Sequence, residues 1–353
     1  MRVFTTIPQD NLGKVPDAVR AIEEAGYDGV MTMENSHDPF LPLAVAATNS
    51  SRVQLLTGIA IAFARSPMAA ANIGWDLQAA SGGRFVMGLG SQIKAHNLRR
   101  FSVPWSAPAP RMQEYVCALR AIWNAWKTGE KLDYRGEHYQ FTLMTPNFVP
   151  EPFEGPTPAV TIAAVGPAML RVAGRVCDGV RLHPFCTRKY LDDVVMPKLA
   201  EGMEQRSGET AITRENFEIS GGGFIATGPD EEAVEKMVEW VRYRISFYAS
   251  TPAYWPVLEA HGLQDLGEKL NIMTKEGKWD DMAAEIPDDM VRLFAAVGTH
   301  ENIAREIETR FGNAVDAVFA SVAAVIPADF PPDLIQDIQR IAVHFTGFDA
   351  TTR

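Results

Sequence analysis

The chain has 353 residues, with 33 Lys or Arg against 44 Asp or Glu, a formal net charge of −11. That balance, with no basic run longer than the pairs Arg99-Arg100 and Arg188-Lys189, argues against nucleic acid as a partner. At 46% hydrophobic and 22% charged residues the composition is that of an ordinary globular protein with a large core, and no apolar run approaches the ~20 residues of a membrane-spanning helix.

Short apolar runs rich in β-branched residues alternate with segments of helical period, the pattern of a parallel sheet with crossover helices. Val3 to Ile7 is expected as the first strand. Val15, Val19, Ile22 and Ala25 then repeat at helical spacing until Gly26 closes the helix. The second strand is Gly29 to Met33 and the third Val53 to Ile61, followed by a helix from Pro67. The fourth is Arg84 to Leu89. After it a helix is expected over Arg111 to Trp126, with Met112, Val116, Leu119, Ile122 and Trp123 on one face. A small hairpin around Gly136 and a loop with five prolines between 146 and 158 follow.

The fifth strand is Ala159 to Ala164, the sixth Gly179 to Leu182 and the seventh Glu218 to Thr227. Asp230-Glu-Glu opens a helix with acids in its first turn, as the helix dipole favours. Residues 250–297 are irregular and read as a helical excursion. Thr299 is the expected N-cap of a helix carrying Ile303, Ile307 and Phe311. The eighth strand is Val315 to Val322, and Leu334 to Val343 is the closing helix. This order fits a single (β/α)₈ TIM-barrel domain over 1–353, with insertions after strands four and seven at about 93–158 and 250–297, better than a doubly wound sheet. Function in such a barrel sits at the carboxyl ends of the strands.

Those ends carry the chemistry. "MENSHDP", residues 33–39, puts Glu34, His37 and Asp38 close together where the second strand stops. Strand alternation points Glu34 inward, and Asp38 before Pro39 suits a helix N-cap. The turn is too irregular for a metal site, and none of the seven histidines pairs at ligand spacing, so no metal is expected. Gly58 in the third strand marks a bulge, a bend or a close ligand approach, though taken alone such a glycine more often serves packing than binding. Arg65 just beyond reads as a solvated charge. The fourth strand ends Gly88-Leu-Gly90-Ser91, half of a dinucleotide fingerprint, but Ile93 stands where the third glycine belongs. Gly90 and Ser91 instead offer backbone and hydroxyl groups to the mouth. Ala163-Ala164-Val165-Gly166-Pro167 leads into a helix whose first amides suit a phosphate. His183 after strand six serves capping, packing or ligand contact.

Taken in order, these strand ends resemble the bacterial-luciferase-like family, and within it the coenzyme F420-dependent oxidoreductases. The segments that carry the likeness are "AIEEAGYDGVMTMEN", "LLTGIAIAFARSP", "ASGGRFVMGLGSQ", "PRMQEYVCALRAIW", "VTIAAVGPAMLRVAGRVCDGV" and "VGTHENIAREI". The resemblance implies a flavin or deazaflavin held in the mouth of the barrel. It implies a non-prolyl cis peptide at Gly58–Ile59 behind the ring, Gly90, Ser91 and Gln92 near the ring or its ribityl chain, and Ala163, Ala164, Val165 and Gly166 at the cofactor phosphate, with His183 beside them.

Related F420 enzymes often carry Asp-His at the end of strand two, where this chain has Glu34-Asn35. Asparagine does not exchange a proton at pH 7, so Glu34 or His37 would have to supply any acid or base. The implied reaction is hydride transfer between coenzyme F420 and a small organic substrate, which Trp105, Phe148, Tyr254 and Trp255 in the irregular loops suggest is bulky or apolar. The alternatives are an FMN-dependent monooxygenase using O₂ and a non-catalytic cofactor-binding protein that has lost its proton donor. Family members commonly pair through helices near strands two and three, and the small residues Ala69, Ala70, Ala71, Ala79 and Ala80 would allow a homodimer. Three cysteines without CxxC spacing, and a start too short in apolar residues for a signal peptide, point to the cytoplasm.

Overall fold

The computed structural model describes residues 1–320 and 330–349. Parallel strands β1 (Arg2–Thr6), β2 (Gly29–Thr32), β3 (Gln54–Thr57), β4 (Phe85–Gly90), β5 (Ala159–Ala164), β6 (Gly179–Leu182), β7 (Glu218–Gly221) and β8 (Ala317–Phe319) form one sheet in sequential order. The ring closes because β1 pairs with both neighbours, Phe4 opposite Gly29 on β2 and Arg2 opposite Ala317 on β8. This is the (β/α)₈ barrel expected from the alternation.

Helices α1 (Val15–Ala25), α2 (Phe40–Asn49), α3 (Pro67–Ala80), α4 (Pro108–Thr128), α5 (Pro167–Val176), α6 (Met196–Met203), α7 (Glu231–Ala249), α8 (Ile303–Phe311) and α9 (Pro332–Gln339) belong to the outer layer and the loops. Alternation sorts the strand residues. Phe4, Met31, Leu56, Val86, Ala159 and Ala317 make a small cluster inside the ring. Val3, Val30, Leu55, Phe85, Val160 and Val180 belong to the main core. Both faces of each strand are covered, which is why the strands read as continuous apolar runs.

The closed floor of the barrel is clasped by three aspartates, each one residue before an even strand. Asp28 Oδ2 accepts from the Val3 N–H at 2.8 Å, Asp178 Oδ2 from Val160 at 2.7 Å and Asp316 Oδ2 from Ile219 at 2.7 Å. Each clasp satisfies the amide of the second residue of the preceding strand. Gly179, which follows one of them, has no room for a side chain: a Cβ there would lie 2.5 Å from the Glu218 carbonyl oxygen.

The structure corrects four boundaries. The third strand is interrupted at Gly58–Ile59 and resumes at Ala60–Ile61. The expected seventh strand is two strands: Gly221 and Gly222, at φ 84° and 93°, turn the chain out of the ring, as only glycine does readily. Phe224–Gly228 then pairs in parallel with Ala295–Thr299 outside the barrel. Thr299 therefore ends a strand and is no N-cap, α8 beginning only at Ile303. The expected eighth strand is shorter, Ala317–Phe319, and its last two residues, 321 and 322, lie outside the described residues.

Candidate active site

At the mouth, β2 runs into the 33–39 turn. Gln9 holds Met33 by a pair of bonds, accepting from its N–H at 2.9 Å and donating to its carbonyl at 2.8 Å. Glu34 then reaches across to β3. Its N–H donates to the Ile59 carbonyl at 3.1 Å, while Oε2 accepts from the Ile61 N–H at 2.6 Å and from Arg65 Nη1 at 2.7 Å. Arg65 Nη2 donates in turn to Asp38 Oδ2 at 3.0 Å, and the guanidinium lies 5.3 Å over the Phe40 ring.

Arg65 is therefore no solvated charge, its side chain being only 19% exposed and that of Glu34 8%. Burial acts to lower the Arg65 pKa, but the bonds and charges of Glu34 and Asp38 outweigh it and raise the value. Asp38 Oδ1 accepts from the Phe40 and Leu41 amides at 2.8 and 3.2 Å and so caps α2. Asn35 and His37 stand exposed, with the Asn35 carbonyl taking a bond from Arg100.

The Gly58–Ile59 bond is cis. Three glycines make room around it: a Cβ on Gly58 would lie 2.0 Å from Met31 Sδ, on Gly90 2.6 Å from Ile59 Cδ1, and on Gly88 1.8 Å from the Thr57 carbonyl oxygen. Next to Gly90, the Ser91 carbonyl accepts from Asn97 Nδ2 at 2.9 Å. Gln92 adopts φ 55° and turns its side-chain oxygen back onto the Ile93 N–H at 2.8 Å.

On the adjoining arc, β5 ends in Ala163-Ala164 and passes through Val165-Gly166 into α5. Pro167 opens that helix and no side chain among the described residues caps it, and its first-turn amides have no partner within the helix. The Val165 carbonyl accepts from the Tyr190 hydroxyl at 2.9 Å, and a Cβ on Gly166 would meet nothing within 4 Å. His183 Nδ1 accepts from the Phe185 N–H at 2.9 Å. Its ring packs 4.3 Å from Tyr248 and 4.7 Å from Tyr254. Burial, with nearby Arg244, pushes its pKa down to about 3. The imidazole is thus neutral at ordinary pH, with Nε2–H left as its donor. His183 and Val165 line one small apolar pocket with Ala164, Leu182, Phe185 and Tyr190.

The candidate catalytic and cofactor-binding residues singled out in the sequence lie at the carboxyl ends of five consecutive strands, β2 to β6. Arg65, Arg181 and Arg244 were not among them. Glu114, Glu137 and His138 also converge, their ligand atoms within 4.8 Å of one another. The Glu114 oxygens there accept the Glu137 and His138 amides at 3.0 and 2.8 Å, tying a hairpin down.

Residues 1–317 match the model of the luciferase-like monooxygenase family. The chain belongs to that family. An uncharacterized protein of Mycobacterium tuberculosis is 48% identical to this luciferase-like chain over 318 residues, 90% of this chain and 92% of that one. The 5,10-methylenetetrahydromethanopterin reductase of Archaeoglobus fulgidus is 25% identical over 297 residues, 82% of this chain and 83% of the reductase. Among solved structures, the coenzyme F420-dependent tetrahydromethanopterin reductase of Methanopyrus kandleri shares the fold, with a TM-score of 0.73 at 18% identity over 97% of each chain. The family and these relatives make the protein an enzyme, an oxidoreductase or monooxygenase. Among the described residues no helix is long and apolar enough to cross a membrane.

Proposed function

We propose that this luciferase-like protein is a coenzyme F420-dependent oxidoreductase that moves a hydride between the deazaflavin ring and a small, bulky or apolar organic substrate. The observation that carries the reading is the similarity to a methylenetetrahydromethanopterin reductase across 82% of the chain. The residues present suit a planar ring with a phosphate tail. Gly166 leaves open space at the head of α5, Gly88 and Gly90 bring no side chains to the mouth, and Arg181, 4% exposed, keeps Nε and Nη2 without hydrogen-bond partners among the described residues.

Bound there, the deazaflavin would supply a carbon centre able to accept or donate hydride. The amides from Ala163 to Gly166 and the first turn of α5 would hold the phosphate. The Glu34–Arg65–Asp38 chain fixes the mouth edge of β3 to β2, a positioning role for Glu34. His183, neutral and fixed through Nδ1, donates from Nε2. His37, exposed on the same turn as Glu34, would face the substrate. Leu41, 57% exposed, and the exposed Ala69, Ala79 and Ala80 support pairing of two chains through α2 and α3, which light scattering tests.

The function is tested by titrating purified protein with F420 and with FMN while following tryptophan fluorescence. Saturable F420 binding, with hydride transfer from reduced F420 to an enone, imine or carbonyl panel, is expected. Tight binding of FMN alone would make the protein a flavin monooxygenase, and F420 binding without turnover of any panel member would make it a non-catalytic carrier.

A further inference from the structure

Arg181 lies on β6 with its side chain turned into the barrel. It reaches across the interior to the junction of β3 and β4: Nε stands 2.8 Å from the point where a side chain on Gly88 would begin, and the Thr57 carbonyl oxygen 1.8 Å from that same point. The guanidinium therefore occupies space that β4 leaves open by carrying glycine, beside the residue that precedes the Gly58–Ile59 bond. Nη1 donates to Ser220 Oγ at 3.2 Å and stands 4.0 Å from Glu218 Oε1. Nε and Nη2 have no hydrogen-bond partner among the described residues, and neither has Thr161 Oγ1 on neighbouring β5.

Glu218 is shared, for Arg2 Nη2 lies 2.8 Å from its Oε2. Two guanidinium groups thus face one carboxylate inside the ring, and among the described residues it is the only ion-pair partner of either. Buried cations are normally matched by charge and hydrogen bonds. Burial lowers the Arg181 pKa, Glu218 raises it and Arg2 lowers it again, the net direction being down. A buried cation that shares its one carboxylate with a second cation beneath a functional face is placed to meet negative charge arriving from that face.

We infer that Arg181 is a positioning residue which stabilises negative charge on the ring cofactor from inside the barrel and so favours its reduced form. The inference rests on the cofactor reading above. Reduction by hydride brings two electrons and one proton to the ring, which becomes one unit more negative. The substrate carbon loses that hydride, and the proton of its hydroxyl or amine leaves to solvent. Arg181 transfers nothing and supplies only the opposing charge, which acts strongly where water is excluded.

Anaerobic calorimetric titration with the oxidised and the chemically reduced cofactor, F420 or FMN, whichever the wild type binds, tests this. The wild type is expected to bind the reduced form more tightly than the oxidised one. Arg181→Gln should weaken binding of the reduced form by about tenfold or more and of the oxidised form by less than about threefold, while Arg181→Lys keeps both. A purely structural role would weaken both forms alike, and that result in folded R181Q overturns the inference while leaving the cofactor reading intact. Tighter wild-type binding of the oxidised form overturns it whether or not R181Q folds. A wild type that binds neither cofactor removes the cofactor reading and this inference with it.

Discussion

Replacing Asp178 by alanine removes one floor clasp, and the structure sets its cost. Asp178 Oδ2 accepts both the Val160 N–H at 2.7 Å and Arg120 Nη2 at 2.8 Å, and its side chain is 7% exposed. Without it the buried Val160 amide loses its acceptor, about 1–3 kcal/mol. Arg120 loses its counter-charge, which would cost about 3–5 kcal/mol in full burial. Its side chain retains 28% exposure, so water recovers much of that term, and the two together come to about 3 kcal/mol. Asp178→Asn keeps an oxygen for Val160 and forfeits only the charge, about half as much. Thermal unfolding followed by circular dichroism should place D178A roughly 4 °C below wild type, with D178N between them. Glu232→Ala, which breaks an exposed i,i+4 pair with Lys236, serves as the control with no measurable change. A D178A protein within a degree of wild type, or no lower than D178N, would refute the reasoning.

Gly88→Ala should destabilise by about 3 kcal/mol or more, because its Cβ meets backbone and Arg181 where neither can retreat; thermal melts check it. Gly166→Ala, whose Cβ meets nothing within 4 Å, should melt like wild type and yet bind the phosphorylated cofactor more weakly in fluorescence titration. His183, held near a pKa of about 3 against an ordinary 6.5, binds fewer protons folded than unfolded between those values. Its contribution is therefore fully present above pH 6.5 and fades as the pH falls toward 3, by at most about 1.4 kcal/mol per pH unit. His183→Asn should flatten that part of the stability–pH curve relative to wild type. Burial pushes the Cys177 and Cys186 thiols up to about 12, so the native protein should react with a charged disulfide reagent far more slowly than the three equivalents released after denaturation.

Most of the barrel was legible in the chain because a doubly covered strand must be apolar throughout, and eight such runs separated by helical period leave few alternatives. Ala159–Ala164 and Gly179–Leu182 stand as read. The seventh strand misled because Gly221-Gly222-Gly223 sits inside a run apolar on both sides. Only the turn at positive φ shows that Phe224–Gly228 belongs to a separate pair. Thr299 was misjudged for a related reason: a hydroxyl before an apolar helix looks like a cap, and its pairing with Gly228 is contributed by a segment 71 positions earlier. At the site, the residues contributed by strand ends could be found because topology alone puts them at the mouth. Arg65 and Arg181 could not. Their meaning depends on Glu34 and Glu218, which are 31 and 37 positions away, and a lone arginine on a strand or loop carries no local sign of what it faces.

Loop-closure entropy predicts an order of events for the floor clasps. Asp28 and Val3 are 25 positions apart and Asp178 and Val160 are 18 apart, whereas Asp316 and Ile219 are separated by 97. The first two are short loops to close, each locking a strand pair within a single βαβ unit. The third waits for the whole excursion after β7 to be made and folded back. The same side-chain device therefore spans two short connections and one long one, and the long one encloses the segment in which this chain departs most from a plain barrel, while the ring itself is shut by Arg2 opposite Ala317.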